Sequence, residues 1–325
     1  MLIDMPTAFN TRDLYVDLTR RIGIPLHLKC EGFNFAGSIK LKPAIAMVQA
    51  AERAGRLKPG GLLIESSSGN LGLALSIIAA DRGYQFLCVT DDRCNPATVA
   101  AMRAYGTSVE IITDPDPEGG YLAARLRRVD ELLAENPGSL WLDQYRNYEN
   151  WLSHYRSTAS EIAEAYPNLR YLFVGAGTTG TVSGCARYML DHYPSVQVIG
   201  VDSSGSVNFG TPSAPRQIPG LGSGIPPHHL DLSDLADTVL VDEIDTIRMC
   251  RRLARTGLLF GGSTGTVVAG AERWLAGRSD VVAGEAVTLA PDLGERYLGS
   301  IYDDAWVTAR FPELACELQD LQAAQ

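Results

Sequence analysis

Short apolar runs alternate along the chain with longer segments whose apolar residues recur at helical spacing. Pro25 to Cys30 alternates in polarity and reads as a strand, and Ser38 to Arg56 as an Ala-rich helix. Strand Leu62 to Glu65 precedes a helix from Asn70 to Arg82, and strand Gln85 to Val89 a helix from Pro96 to Tyr105. Strand Ser108 to Ile112 precedes a helix from Gly120 to Glu135. Such alternation predicts a parallel sheet covered by helices, a small doubly wound domain ending near Gln144. The second half repeats the logic. A helix from Trp151 to Ala165 is followed by strand Leu172 to Val174, a helix to His192 and strand Val196 to Val201. Val207 to Pro227 is rich in Gly, Pro and Ser and reads as irregular loop. Further elements fall at Ile244 to Thr256, Gly265 to Ala276 and Ala286 to Leu289. A tail helix is expected from Phe311, and Met1 to Ile22 as an arm with one short helical pattern. The fold class is therefore α/β with two domains.

Three turns punctuate this pattern where a strand gives way to a helix. Ser66-Ser67-Ser68-Gly69-Asn70-Leu71-Gly72 clusters hydroxyls and open N–H groups at a helix start. That arrangement binds an anion such as a carboxylate or phosphate, or else simply caps the helix. Gly177-Thr178-Thr179-Gly180-Thr181 combines close backbone approach with hydroxyl donors, which suits a phosphate. It lacks the Lys-Ser/Thr of a P-loop and the glycine spacing of a dinucleotide site. Gly261-Gly262-Ser263-Thr264-Gly265 is a third such start. Lys40, after Gly37-Ser38, is expected in the first turn of its helix. The positive end of the helix dipole disfavours its charged form there, which suits a lysine that reacts with carbonyls. Lys42 competes for that role.

Composition narrows the classes. The 325 residues carry a formal net charge of −10 with no Lys/Arg-dense run, which speaks against nucleic acid. No apolar run is long enough to span a bilayer, and Met1 to Asp4 lacks signal-peptide character, so the expectation is a cytoplasmic protein without membrane contact. The six cysteines are scattered without Cys-x-x-Cys pairs, and His228-His229 lies in a loop-like region, so no metal is expected.

Taken together and in order, the three turns and the lysine resemble the pyridoxal phosphate-dependent cysteine synthase family, the fold type II enzymes. The resemblance runs from Pro25 to Tyr302 and includes Pro291-Asp292-Leu293-Gly294-Glu295-Arg296-Tyr297-Leu298. It implies pyridoxal 5'-phosphate carried by Lys40, its ring oxygen bonded by Asn70, its phosphate held by Gly177, Thr178, Thr179, Gly180 and Thr181, and its ring nitrogen faced by Ser263. A serine there, unlike an aspartate, does not hold that nitrogen protonated, which favours β-elimination over transamination. Ser67, Ser68, Gly69 and Leu71 then offer donors to a substrate α-carboxylate, with Gln144 adding an amide. The resemblance further implies a homodimer acting on small amino acids, with residues 38–146 as a smaller mobile domain and 1–37 plus 147–325 as the larger one.

Several segments look, within that family, like the N-(2-amino-2-carboxyethyl)-L-glutamate synthases of siderophore and antibiotic pathways. They are Glu65 to Gly72, with Leu71 for the usual Thr, Asp116 to Arg125, Asp143-Gln144-Tyr145, Asn150 to Tyr155 and Asp202 to Val207. Those enzymes join O-phospho-L-serine and L-glutamate in the route to L-2,3-diaminopropionate. A dianionic leaving group and a dicarboxylate nucleophile need cations. Arg125 is the candidate, set against an ordinary helix arginine beside Arg127 and Arg128, and Tyr145 helps shape the pocket. The chain departs from the family's usual residues at Phe35-Ala36, Leu41-Lys42 and Thr179. The rival readings are a cysteine synthase using sulfide, a catalytically silent regulatory protein of this fold, and a nucleotide-binding protein.

Overall fold

The computed structural model describes residues 2–9, 11–117, 119–278 and 280–318. The chain enters through strand β1 (Tyr15–Asp17), the single turn α1 (Thr19–Ile22) and β2 (His27–Cys30). It continues through α2 (Leu41–Arg53), β3 (Leu62–Ser66), α3 (Asn70–Arg82), β4 (Gln85–Asp91), α4 (Pro96–Ala104), β5 (Ser108–Ile112), α5 (Gly120–Glu135) and β6 (Leu140–Trp141). The next helix is broken: α6 (Tyr148–His154) passes through a π turn at Tyr155–Ala159 into α7 (Ser160–Ala165). Then come β7 (Tyr171–Gly175), α8 (Gly180–His192), β8 (Gln197–Ser203), β9 (Asp237–Val241), α9 (Glu243–Ala254), α10 (Gly262–Leu275), β10 (Ala286–Ala290) and α11 (Asp304–Arg310).

The strands form two sheets. One has the order β5-β4-β3-β6 and is parallel throughout. The other has the order β1-β2-β10-β7-β8-β9, parallel except for the antiparallel edge pair β1–β2. Each sheet is wound both ways from one strand. β3 is followed by β4 and β5 on one side, whereas β6 returns to its other side; β7 is followed by β8 and β9, whereas β10 returns to its other side. A crevice opens at the carboxyl ends of the strands where the order reverses, and open α/β sheets place ligands there. The loops after β3, β6, β7 and β10 surround that position.

Both sheets are buried on both faces, as parallel sheets require. Along β7, Tyr171 and Phe173 pack with Val267, Ala271 and Leu253 of α10 and α9, whereas Leu172 and Val174 pack with Val182, Cys185 and Ile162. In the smaller sheet, Leu63 and Cys88 meet Met47, Ile78 and Met102 on one face, while Ile64 and Val89 meet Val129 and Leu132 of α5 on the other. Fully burying such a side chain contributes about 1.5–3 kcal/mol. Among the described residues no helix is long and apolar enough to cross a membrane.

The differences from the sequence reading are local. Helix α2 begins at Leu41, not Ser38: residues 38–40 form a turn in which Ser38 bridges Asp292 and Ile39 N–H donates to Pro291 O at 2.7 Å. Lys40 therefore sits at the N-cap, one position before the helix. The helix expected from Trp151 starts at Tyr148, where Asn147 caps it, and the one expected from Gly265 starts at Gly262. β1, β6 and β9 escaped notice. They are edge strands, too short or too polar to print a period; Asp237 and Thr238 of β9 are exposed. The tail from Phe311 holds a 3-10 turn, Pro312–Leu314, and a helical turn to Leu318. The rest of that expected helix, 319–325, and Met1 and Asn10 of the expected arm, lie outside the described residues.

Gly184 allows α8 to cross close beneath α6: a Cβ there would lie 2.9 Å from both His154 Cβ and Tyr155 N. The displaced atoms include backbone, which cannot yield as a side-chain tip can. Gly184→Ala is expected to cost roughly 1–3 kcal/mol, read as a fall of several degrees in the thermal unfolding midpoint.

Candidate active site

The loops at the two switch points meet on Asp292, just past β10. Its buried carboxylate accepts from Asn70 Nδ2 (2.8 Å) and Tyr297 OH (2.6 Å), and its carbonyl accepts from Gly261 N–H (3.1 Å). Burial raises its pKa, against the hydrogen bonds from Tyr297 and Asn70. Gly261 has no alternative, because a Cβ would collide with Asp292 Oδ1. Arg296 adds a second tie, donating to Asn70 Oδ1 and to Ala36 O, while Asn95 donates to the carbonyl of Arg296. Asn70 is thus fixed at both ends of its amide.

Lys40 Nζ lies 3.4 Å from Thr178 Oγ1. Burial lowers its pKa to about 8, because the charged form loses hydration and gains no carboxylate partner. Lys42, two residues on, points elsewhere: its ammonium is 2.9 Å from both Glu31 Oε1 and Glu161 Oε2. The geometry therefore separates the two candidate lysines, and Lys40 is the one beside the glycine–threonine loop.

That loop leaves β7 and opens α8. Gly177 lies against Gly220, where a Cβ would come 2.7 Å from the carbonyl oxygen. Gly180 lies against the side chain of buried Asn150. Thr179 adopts φ +66°, left-handed backbone that L residues rarely hold. Its hydroxyl is buried without a partner. Thr178 Oγ1 accepts from Asn150 Nδ2 at 3.2 Å, and Thr181 Oγ1 lies 3.3 Å from His154 Nε2. An orphaned hydroxyl, close glycines and the first-turn N–H groups of α8, beside a lysine whose pKa is lowered, fit a phosphate-bearing aldehyde. Ser263, buried at the start of α10, presses its hydroxyl against Gly220.

The turn after β3 divides its serines. Ser67 Oγ accepts from Gly69 N–H (3.2 Å) and Gly72 N–H (2.8 Å), so this hydroxyl does cap α3. Ser68 is exposed, and Gly69 is the N-cap residue. The N–H groups of Asn70 and Leu71 are open first-turn donors; Leu71 is buried and offers only its backbone. Gln144 Nε2 donates to Ser66 O at 3.1 Å and joins the β6 and β3 loops. It follows Asp143, which is held at φ +51°.

Arg125 is not like its neighbours. Arg128 pairs with Glu110, Glu131 and Glu135, whereas Arg125 is buried with Nε 3.1 Å from Asp91 Oδ2. Burial raises the pKa of Tyr145, and Arg125 opposes it. Glu65 completes this corner, accepting from Trp141 Nε1 (2.9 Å) and Ser66 N–H (3.0 Å), with its pKa pushed up to about 8 by burial. His229 of the loop pair packs on Tyr148, and no group of three or more metal-ligating side chains occurs among the described residues.

Asp292 and Arg296 entered the sequence reading only within the Pro291 to Leu298 stretch, and Asn150 and His154 only within Asn150 to Tyr155; none of the four was given a role in the site. The last two had a signal: Asn150, His154 and Thr158 repeat every fourth residue, a polar stripe, and it is this stripe that is buried.

The sequence matches the family described as pyridoxal-phosphate dependent enzyme over residues 14–292, and the chain belongs to that family. It is a fold type II enzyme of this class, a pyridoxal phosphate-dependent β-substituting synthase. The N-(2-amino-2-carboxyethyl)-L-glutamate synthase of Ralstonia nicotianae is 42% identical over 281 residues, 86% of this chain and 82% of that protein. The enzyme of the same name from Cupriavidus metallidurans is 41% identical over 284 residues, 86% of this chain and 83% of its own. Among solved structures, an O-ureido-L-serine synthase superposes with a TM-score of 0.84 at 32% identity, covering 95% of this chain and 100% of that one. The O-acetylserine dependent cystathionine beta-synthase of Helicobacter pylori gives 0.84 at 26% identity, covering 93% and 100%.

Two titrations follow from the buried groups. In cofactor-free protein, labelling of Lys40 by an amine-directed reagent is expected to be half-maximal near pH 8, measured by peptide mass spectrometry; a midpoint above pH 10 contradicts its burial. Glu65 has a folded-state pKa above its unfolded value, so the stability it contributes is complete below about pH 4.5 and is lost as pH rises toward 8. Glu65→Gln is expected to flatten that part of the pH–stability curve in urea denaturation.

Proposed function

We propose that the protein joins O-phospho-L-serine and L-glutamate to give N-(2-amino-2-carboxyethyl)-L-glutamate and phosphate, in the supply of L-2,3-diaminopropionate for siderophore or antibiotic assembly. The observation that carries this reading is Arg125: a buried guanidinium near Tyr145, backed at Nε by Asp91. A neutral leaving group makes no demand for such a cation, whereas a phosphate does. The names of the relatives at 41–42% identity support the same choice.

Lys40 would carry the cofactor, Asn70 would bond its ring oxygen, Gly177 to Thr181 would hold its phosphate and Ser263 would face its ring nitrogen. Bound there, pyridoxal 5'-phosphate supplies the electron sink for chemistry at the substrate α-carbon. The residues of the chain do the rest. First-turn N–H groups of α3, with Ser68 and Gln144, hold the substrate α-carboxylate. The Lys40 amine, whose pKa near 8 makes it a usable base at neutral pH, removes the α-proton. The Cβ–O bond breaks, and Arg125 balances the departing phosphate. The glutamate amine then forms the new Cβ–N bond and loses its proton to solvent, while Lys40 returns a proton to the α-carbon. Residues 38–146, built on the smaller sheet, close over the substrate against 1–37 and 147–325, which excludes water between the two bond changes.

The test is optical. O-phosphoserine is expected to shift the visible band of the purified enzyme, and glutamate to restore it with a product of the expected mass. A band that answers only to O-acetylserine and sulfide would make the protein a cysteine synthase. Arg125→Ala is expected to raise KM for O-phosphoserine about tenfold or more, the loss of one charge-assisted contact, with a smaller effect on KM for glutamate.

A further inference from the structure

Beneath the glycine–threonine loop lies a buried cluster of four charges. Lys29 comes from β2, Glu31 from the position just past it, Lys42 from α2 and Glu161 from α7, and all four are buried or nearly so. Lys29 Nζ is 3.0 Å from Glu161 Oε2 and 3.6 Å from Glu31 Oε1, and it donates to Arg12 O at 2.5 Å. Two cations and two anions make the group neutral as a whole. Lys42 spends two of its N–H groups on Glu31 and Glu161 and gives the third to Thr158 Oγ1 at 3.3 Å.

The contacts then run on in single file. Thr158 Oγ1 is 3.0 Å from His154 Nδ1, and His154 Nε2 is 3.3 Å from Thr181 Oγ1. A threonine–histidine–threonine row can point its protons either way, because each member both donates and accepts. An ammonium cannot: it only donates. The Thr158 oxygen has a second lone pair, but if it accepted from the ring as well as from Lys42 its own hydrogen would have no acceptor among the described residues, so that hydrogen goes to Nδ1. The imidazole must then carry its proton on Nε2 and give it to Thr181. The Thr181 hydrogen is left to point away from the row, and it has no acceptor among the described residues. The ring is wholly buried, and burial together with Lys42 and Lys40 holds its pKa well below the ordinary histidine value, so it keeps one proton and not two.

We infer that Lys42, Thr158 and His154 are positioning residues whose one-way hydrogen-bond row fixes the His154 tautomer and commits the Thr181 hydroxyl to donate to the phosphate of the cofactor. This rests on the reading that Gly177 to Thr181 hold that phosphate, but not on the identity of either amino-acid substrate. It also gives a reason for a lysine at position 42: a donor-only group on Thr158 sets the direction of the row.

The test uses the full-length chain and two probes, pyridoxal 5'-phosphate and pyridoxal, which differ only in the phosphate. Thr158→Val keeps the size of the side chain and leaves the charge cluster paired, but cuts the row. It is expected to weaken pyridoxal 5'-phosphate about tenfold, one hydrogen bond to a charged group, and to leave pyridoxal unchanged; Thr158→Ser is expected to restore wild-type binding. In ¹⁵N-histidine-labelled holoenzyme, His154 is expected as the Nε2–H tautomer, becoming mixed in Thr158→Val. An Nδ1–H tautomer in the wild type, or equal effects of Thr158→Val on both probes, overturns the inference. A wild type that binds both probes equally removes the phosphate reading of the loop and the inference with it.

Discussion

Asp292 is the point on which the site depends. A carboxylate without water must collect hydrogen bonds, and its donors come from separate parts of the chain, Asn70 from the smaller sheet and Tyr297 from the turn beyond β10, while its backbone carbonyl takes Gly261 N–H from the start of α10. Satisfying this one buried residue therefore fastens the Ser66–Leu71 turn and the Ser263 helix to the same spot. Ser38 bridges to Asp292 as well, which brings the segment carrying Lys40 to that spot. Arg296 reinforces the arrangement by reaching Asn70 and Ala36 from the same loop. The topology makes the meeting possible, because both sheets reverse their strand order at the strands whose carboxyl ends feed these loops.

The electrostatics of the two lysines show how burial and pairing divide labour over two residues of sequence. Lys42 is nearly buried and paired with Glu31 and Glu161, so it anchors structure. Lys40 is partly buried, with a threonine hydroxyl and no carboxylate as its side-chain partner among the described residues, so its charge is penalised and its amine becomes chemically available. The same contrast separates the arginines of α5. Arg128 is spread over three surface carboxylates, where ion pairs contribute little, whereas Arg125 is held inward by one buried aspartate.

Backbone strain falls where the chemistry is placed. Among the described residues the non-glycine positions with positive φ are Thr179, in the loop beside Lys40, and Asp143, next to Gln144. Each costs on the order of 1–3 kcal/mol and persists only because its neighbours fix it. The π turn at 155–159 belongs to the same pattern. It follows His154 directly and holds Thr158, inside the helix that backs the glycine–threonine loop.

The sequence by itself determined the alternation of strands and helices, the three glycine-rich helix starts and their order. These are local properties: period, turn chemistry and helix termini leave marks within a few residues. It also carried the family resemblance, which rests on those local motifs. Only the tertiary structure decided which of Lys40 and Lys42 faces the loop, that Ser67 caps its own helix, that Arg125 turns inward, and that β1, β6 and β9 exist as strands. Apart from the Ser67 cap, whose partners Gly69 and Gly72 are close in sequence, these depend on partners tens to hundreds of residues away, such as Glu161 for Lys42 or Asp292 for Asn70. A side chain's charge and reach are written in its type, but what it can pair with is set by which loops the two sheets bring together.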